Sequence, residues 1–162
     1  MPAALDAAPY LVAWIKHRVA EVGGRVYPHL APQNAAPPYC TYARVGRVVH
    51  GDQRGPDGTV AATYQVDVWG QARAALERIL QVVVGPAAAV GTPAAGLVGF
   101  AGLMELAPGV PRPAAAPPDR LYVQCVTLGD DAEEFYLPAD GTGAGWVRQG
   151  VRLTVHHETE LR

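Results

Sequence analysis

Five histidines, two cysteines and a close run of carboxylates are the residues of this chain whose types could do chemistry. A metal site needs three or four such groups converging on one point. His17 falls in a helical stretch, His29 and His50 in connecting segments, and His156-His157 near the chain's end. Neighbours on a strand point to opposite faces, so His156 and His157 do not chelate one ion together. Cys40 and Cys125 each sit in an apolar run that reads as a strand, the setting of buried thiols rather than of a disulfide. Asp130, Asp131, Glu133 and Glu134 crowd into a polar link between strands. A hydrolytic carboxylate pair wants a cleft; this link reads as solvated, with a salt-bridging patch for a basic partner as the sharper alternative. Asp67, between Val66 and Val68, either faces solvent or meets an arginine of a neighbouring subunit. No Walker loop, G-x-S-x-G elbow, H-E-x-x-H or C-x-x-C occurs. The expectation is a non-enzyme with no catalytic residue, metal or cofactor.

The elements that must position these residues are legible from periodicity. Asp6 can cap a first helix and Pro9 fits its first turn. Leu11, Trp14, Ile15, Val19 and Val22 then recur at helical spacing until Gly23-Gly24. Residues 25–33 are too short and proline-bound for an interior strand and read as an extended crossing. Residues 39–45 read as a strand, 51–58 as a loop, and 59–69 as a second strand paired with the first. In that second strand Val60, Ala62, Tyr64, Val66 and Val68 share one face, and Ala61, Thr63, Gln65, Asp67 and Trp69 the other. Residues 71–84 form a second helix with Leu76, Ile79 and Val83 on its apolar face, stopped by Gly85-Pro86. Strands follow at 119–128 and 146–157. In the first of these, Leu121, Val123, Cys125 and Thr127 alternate against Tyr122, Gln124, Val126 and Leu128.

Residues 86–118 interrupt the pattern with an Ala/Pro/Gly-rich insertion around an apolar patch holding Leu97, Phe100, Leu103 and Met104. Exposed apolar surface marks interfaces, so residues 96–106 are expected against a neighbouring subunit or ring. Strands arriving in pairs favour an α+β fold: an antiparallel sheet of about four strands with two helices packed on one face, plus the insertion, in a single domain over residues 1–162.

The chain has 162 residues, 49% hydrophobic and 17% charged, with a formal net charge of -2. That charged fraction is below the globular average of about 25%. The balance lacks the basic footprint of a nucleic-acid binder. The N-terminus lacks the pattern of a secretory signal, and no apolar run reaches the roughly 20 residues of a membrane span. A soluble protein made in a cytoplasm is expected.

One segment is more specific. Arg25-Val26-Tyr27-Pro28, then Ala31-Pro32-Gln33-Asn34, then Pro37-Pro38-Tyr39-Cys40-Thr41-Tyr42 resembles the signature of phage tail-completion, or tail-terminator, proteins. The likeness continues through Tyr64-Gln65-Val66-Asp67-Val68-Trp69 and the Ala-rich helix at 71–84. It covers residues 5–85 well and 119–157 in outline; the stretch 86–118 is longer than the family's usual link. The prolines Pro28, Pro32, Pro37 and Pro38 would shape the approach to the first strand. The resemblance implies a virion protein of the tail or neck, assembled in the host cytoplasm as a homo-oligomeric, hexameric ring. Such a ring caps the head-proximal end of a tail tube, stops polymerisation and meets the head connector or stopper. DNA passes its lumen without specific binding, and no membrane is involved. The alternatives are another connector or stopper component, a small ligand-binding domain, or a nucleic-acid binder.

Overall fold

A computed structural model describes residues 6–52, 55–85, 96–105, 120–129, 133–137 and 145–158. Asp130, Asp131 and most of the Ala/Pro/Gly-rich stretch lie outside them. The first helix, α1 (Ala8–Arg18), carries Pro9 in its first turn and buries Tyr10, Leu11 and Ile15. The N-cap is Ala7, with no side-chain cap bond, rather than the expected Asp6; Asp6 stands one residue earlier, its Oδ1 accepting the Ala8 N–H at 3.1 Å. The helix stops earlier than its apolar stripe: a separate 3₁₀ turn (Ala20–Val22) buries Val22 and ends at Gly23, φ 57°.

The short proline-bound segment is an edge strand. β1 (Val26–Pro28) runs parallel to β2 (Tyr39–Asp52), pairing Val26 with Cys40 and Pro28 with Tyr42. The edge is where a strand proline costs least, because its missing N–H can face outward. Arg25 ties this corner together, donating to the carbonyls of Glu21 at 2.9 Å and Pro38 at 3.0 Å. An all-antiparallel sheet is thus corrected to a mixed one.

β2 pairs antiparallel with β3 (Gly55–Gly70) from Tyr39↔Trp69 out to Asp52↔Gly55. The expected loop at 51–58 is therefore largely a continuation of the hairpin. A 12-residue helix, α2 (Arg73–Val84), follows and buries Leu76, Ile79 and Val83. β4 (Gly102–Glu105) pairs antiparallel with β5 (Arg120–Leu128), and β6 (Glu133–Leu137) and β7 (Trp146–Glu158) complete seven strands among the described residues. The order is β1-β2-β3-β7-β5-β4. β5 and β6 lie end to end along one side of β7, Leu128 opposite Leu153 and Glu133 opposite Gly150. They form one strand line interrupted at 129–132, so Glu133 and Glu134 belong to a strand rather than to the expected loop.

Both helices pack on one face of this sheet. Val60, Tyr64, Val66, Val68, Leu153 and Val155 are fully buried beneath them, as strand alternation predicts. In β5 the strict alternation fails. A bulge between Val123 and Cys125 slips the register, so Val126 joins Leu121 and Val123 in the core while Cys125 and Thr127 turn away. One extra residue on a bulged strand does this by reversing the facing of all that follow.

Tyr64 pins α1 to the sheet. Its ring is fully buried, and its hydroxyl donates to Asp6 Oδ1 at 2.9 Å. Burial raises the phenol pKa well above its ordinary value, and the bond to Asp6 adds to the rise.

The apolar patch at 96–106 is the main correction. Leu97 is fully buried and Met104 is 2% exposed, both inside the chain's own core, with Phe100 packed against it. The N–H groups of Leu97 and Val98 reach the Val83 and Val84 carbonyls at 2.7 and 3.2 Å, satisfying the orphan acceptors at the end of α2. The Gly99 N–H donates to Val126 at 2.8 Å, fastening α2 to β5. A Cβ at Gly96 would overlap the backbone of Val84 and Gly85, so this crossing needs glycine. Leu97 and Met104 thus present no surface to a neighbour. Leu103 lies on β4 opposite Tyr122.

Truncating the buried Leu97→Ala is expected to cost about 2–5 kcal/mol. The same truncation at Val48, 58% exposed, should stay within about 0.5 kcal/mol. Urea unfolding of the two variants checks the contrast.

Candidate assembly surface

The second face of the sheet carries no helix. Residues of odd phase in β3 and of even number in β7 emerge there, and all but the buried Ala61 and Gly150 are only partly covered. At one end stands an aromatic group. Tyr39 stacks on Trp69 with centroids 6.3 Å apart and meets Tyr27 edge-on at 6.1 Å. Trp146 lies 6.2 Å from the Tyr39 ring. The Trp69 indole N–H donates to Thr41 Oγ1 at 3.1 Å, and the Arg148 guanidinium sits 5.7 Å from the Trp69 centroid. Such contacts hold the rings in fixed orientations, the condition for aromatic side chains to act as rigid anchors. Burial raises the Tyr39 pKa, with a smaller contribution from Tyr27.

A polar lane continues along the same face. Gln65 Nε2 donates to Asp67 Oδ1 at 3.0 Å, while Gln65 Oε1 accepts from Arg152 Nε at 3.3 Å. The Thr63 and Thr154 hydroxyls share a hydrogen bond of 2.9 Å. Beyond them His50 stacks on His156, centroids 6.4 Å apart. Asp67 therefore sits half-buried in an arrangement within its own chain. Gly150, opposite Asp67 in the ladder, leaves room for it: a Cβ there would collide with Asp67 Oδ1 and Gln65 Nε2.

The other residues singled out by type fall elsewhere. Cys40 is fully buried on the helix side, and burial, with the Asp67 charge adding, pushes its thiol up to about 12. It is a packing group and no thiolate. Both cysteines are free. His157 is 1% exposed on the helix side, with Nδ1 3.0 Å from the Glu158 carbonyl, whereas His156 faces the opposite way. Among the described residues no group of three or more His, Cys, Asp or Glu could share a metal ion. A shallow cleft of about 170 Å³ between Pro37-Pro38 and the first turn of α2 has no titratable side chain in its lining. Among the described residues no helix is long and apolar enough to cross a membrane.

The sheet thus brings Tyr27, Tyr39, Trp69, Trp146 and Arg148 together, which the residue-by-residue reading of the tryptophans missed. The signal was present in strand phase: Tyr39 and Trp69 are ladder partners, and Tyr27 pairs with Thr41 one strand away. Asp67 lies beside this group; Leu97 and Met104 do not; Glu133 and Glu134 line the far side of β7.

The sequence matches no protein-family model and no curated protein. Its fold is similar to that of a solved chain from the virion of a native gene transfer agent (GTA) particle. That likeness has a TM-score of 0.50 at 15% identity and covers 98% of this chain and 99% of that chain. At such identity the likeness concerns the fold alone.

Two consequences can be measured. Gly150→Ala should displace the Gln65–Asp67 pair, both flexible side-chain ends, without unfolding the sheet. Its melting temperature should stay within a few degrees of wild type while binding to any partner of this face weakens. The second concerns pH. Burial holds the His157 pKa below its ordinary 6.5, the nearby Arg47 charge lowers it further, and the bond to the Glu158 carbonyl opposes both. The unfolded chain therefore binds more protons between the two values. Stability is complete above about 6.5 and is lost as pH falls through the folded pKa. Urea midpoints at descending pH should show this slope, and His157→Gln should flatten it.

Proposed function

We propose that this chain is a structural virion protein of a phage-like particle. In this reading it assembles as a ring on the head-proximal end of a tail tube, stops tube growth and joins the tail to the head connector. The observation that carries the reading is the fold match to a gene transfer agent virion chain over nearly all of both chains. The tail-completion signature supports it independently. Its residues 25–42 build the β1–β2 corner held by Arg25 and place Tyr27 and Tyr39 on the helix-free face. A face of rigid aromatics flanked by paired polar side chains suits protein contact, since aromatic and arginine residues dominate the energetics of interfaces. Gln65, Asp67 and Arg152, and Thr63 with Thr154, are bonded to one another, an arrangement suited to recognition.

The test is electron microscopy of the purified protein mixed with tail tubes. Caps at a single tube end, and tubes of fixed length when the protein is present during polymerisation, are expected. Protein that leaves tube length unchanged and decorates no tube end would overturn the reading.

A further inference from the structure

The β2–β3 hairpin outruns the layer that should cover it. β3 has 16 residues, roughly 53 Å of strand, whereas α2 has 12 and spans roughly 18 Å. The excess shows on β2. Val48 and Val49 are neighbours and point to opposite faces, yet they are 58% and 50% exposed, and Val45, at a bulge, is 54% exposed. The ladder partners of Val48 and Val49 on β3, Ala61 and Val60, are 8% and 0% exposed, so it is β2 alone that is uncovered there. Its outer edge is bare as well: β1 pairs with β2 as far as Tyr42, and among the described residues no strand lies beside Arg44–His50. A long unpaired edge of this kind is a template for another strand.

The far edge of the sheet offers one. β6 pairs with β7 along one side, and among the described residues no strand lies on its other side. Leu128, 48% exposed, stands just before it on the same strand line. The two edges differ in charge. The β2 ribbon carries Arg44 and Arg47, and β6 opens with Glu133 and Glu134.

We propose that the β2 edge from Arg44 to His50 adds to the β6 edge of a second copy of this chain, bringing the basic edge beside the partner's acidic one. The inference deepens the ring reading given above and rests on it for the biological setting. Strand directions are compatible. β2, β3, β7 and β6 alternate in direction, so β6 of one copy meets β2 of the next antiparallel and the alternation continues. Because two different edges meet, the contact is head-to-tail, the kind that generates rings. It is also staggered. Glu133 lies level with Thr41 through Gly150 and Asp67, whereas the bare edge begins beyond Tyr42. Each join therefore slides one sheet several residues along the next, tilting the strands as closed sheets require.

Sedimentation velocity over a concentration series tests this, with circular dichroism confirming that each variant folds. Wild type should self-associate. Val48→Lys, Arg47→Glu and the double change Glu133→Lys with Glu134→Lys should each weaken association at least ten-fold. Combining Arg47→Glu with the two lysine changes should restore most of it. Variants that associate as tightly as wild type, a combination that restores nothing, or a wild type that stays monomeric both alone and on tail tubes would overturn the proposal. If edge variants still cap tubes as well as wild type, this interface is wrong and the capping function stands. If edge-dependent oligomers form yet ignore tubes, the interface stands and the capping function falls.

Discussion

The constraint on which the rest of the structure depends is a mismatch of lengths. Strands gain more than twice as much length per residue as helices do, and here the longest strands are also the longest elements. Helices of 11 and 12 residues cannot roof strands of 14 and 16. A core forms where roof and floor overlap, around Tyr64, Val66, Leu76, Ile79 and Leu153. Everything beyond the overlap has to be stabilised by something else or left bare. On the helix-free side the solution is a lane of packed aromatic and mutually bonded polar side chains; along the outer strand of the hairpin Val45, Val48 and Val49 are left exposed.

Within the overlap, a few polar contacts fix how the layers sit. Asp6 Oδ1 takes the Ala8 N–H, takes the Tyr64 hydroxyl and lies 3.7 Å from Arg44 Nη1. One carboxylate oxygen thereby joins the start of α1, the centre of β3 and the side of β2. A buried hydroxyl without such a partner would cost about 1–3 kcal/mol. The stretch 96–99 does the corresponding work at the other helix, closing the carbonyl end of α2 and anchoring it to β5. Polar termination and apolar burial are thus achieved by the same short segments.

Much of this was written in periodicity. The two faces of β3 followed from alternation alone, because a strand buried on one side and open on the other repeats strictly every two residues. α2 was equally plain, its apolar face bounded by glycine. What stayed hidden had physical reasons. Bulges leave no mark in residue type, so Val126 was assigned to the wrong face. Composition made 51–58 look like a loop, although a hairpin with few side chains to bury needs little hydrophobicity to pair. The patch around Leu97 and Met104 looked like surface because its period fits neither helix nor strand; it is a crossing followed by a four-residue strand, and its burial comes from tertiary contacts that no local pattern encodes. The assembly surface was half legible: Asp67 and the tryptophans were noticed singly, but their gathering with Tyr27 and Tyr39 depends on strand register.

The glycine crossing has one more consequence. Gly96 lies against the backbone of Val84 and Gly85, so the chain returns after ten intervening residues to the point it left. The two ends of this connection, at Gly85 and Gly96, are already fastened. Lengthening a connection between fastened ends costs little, about 0.6 kcal/mol per doubling. This connection is therefore expected to accept an insertion cheaply. It is a port at which evolution, or an experimenter fusing a label, can write without editing the core.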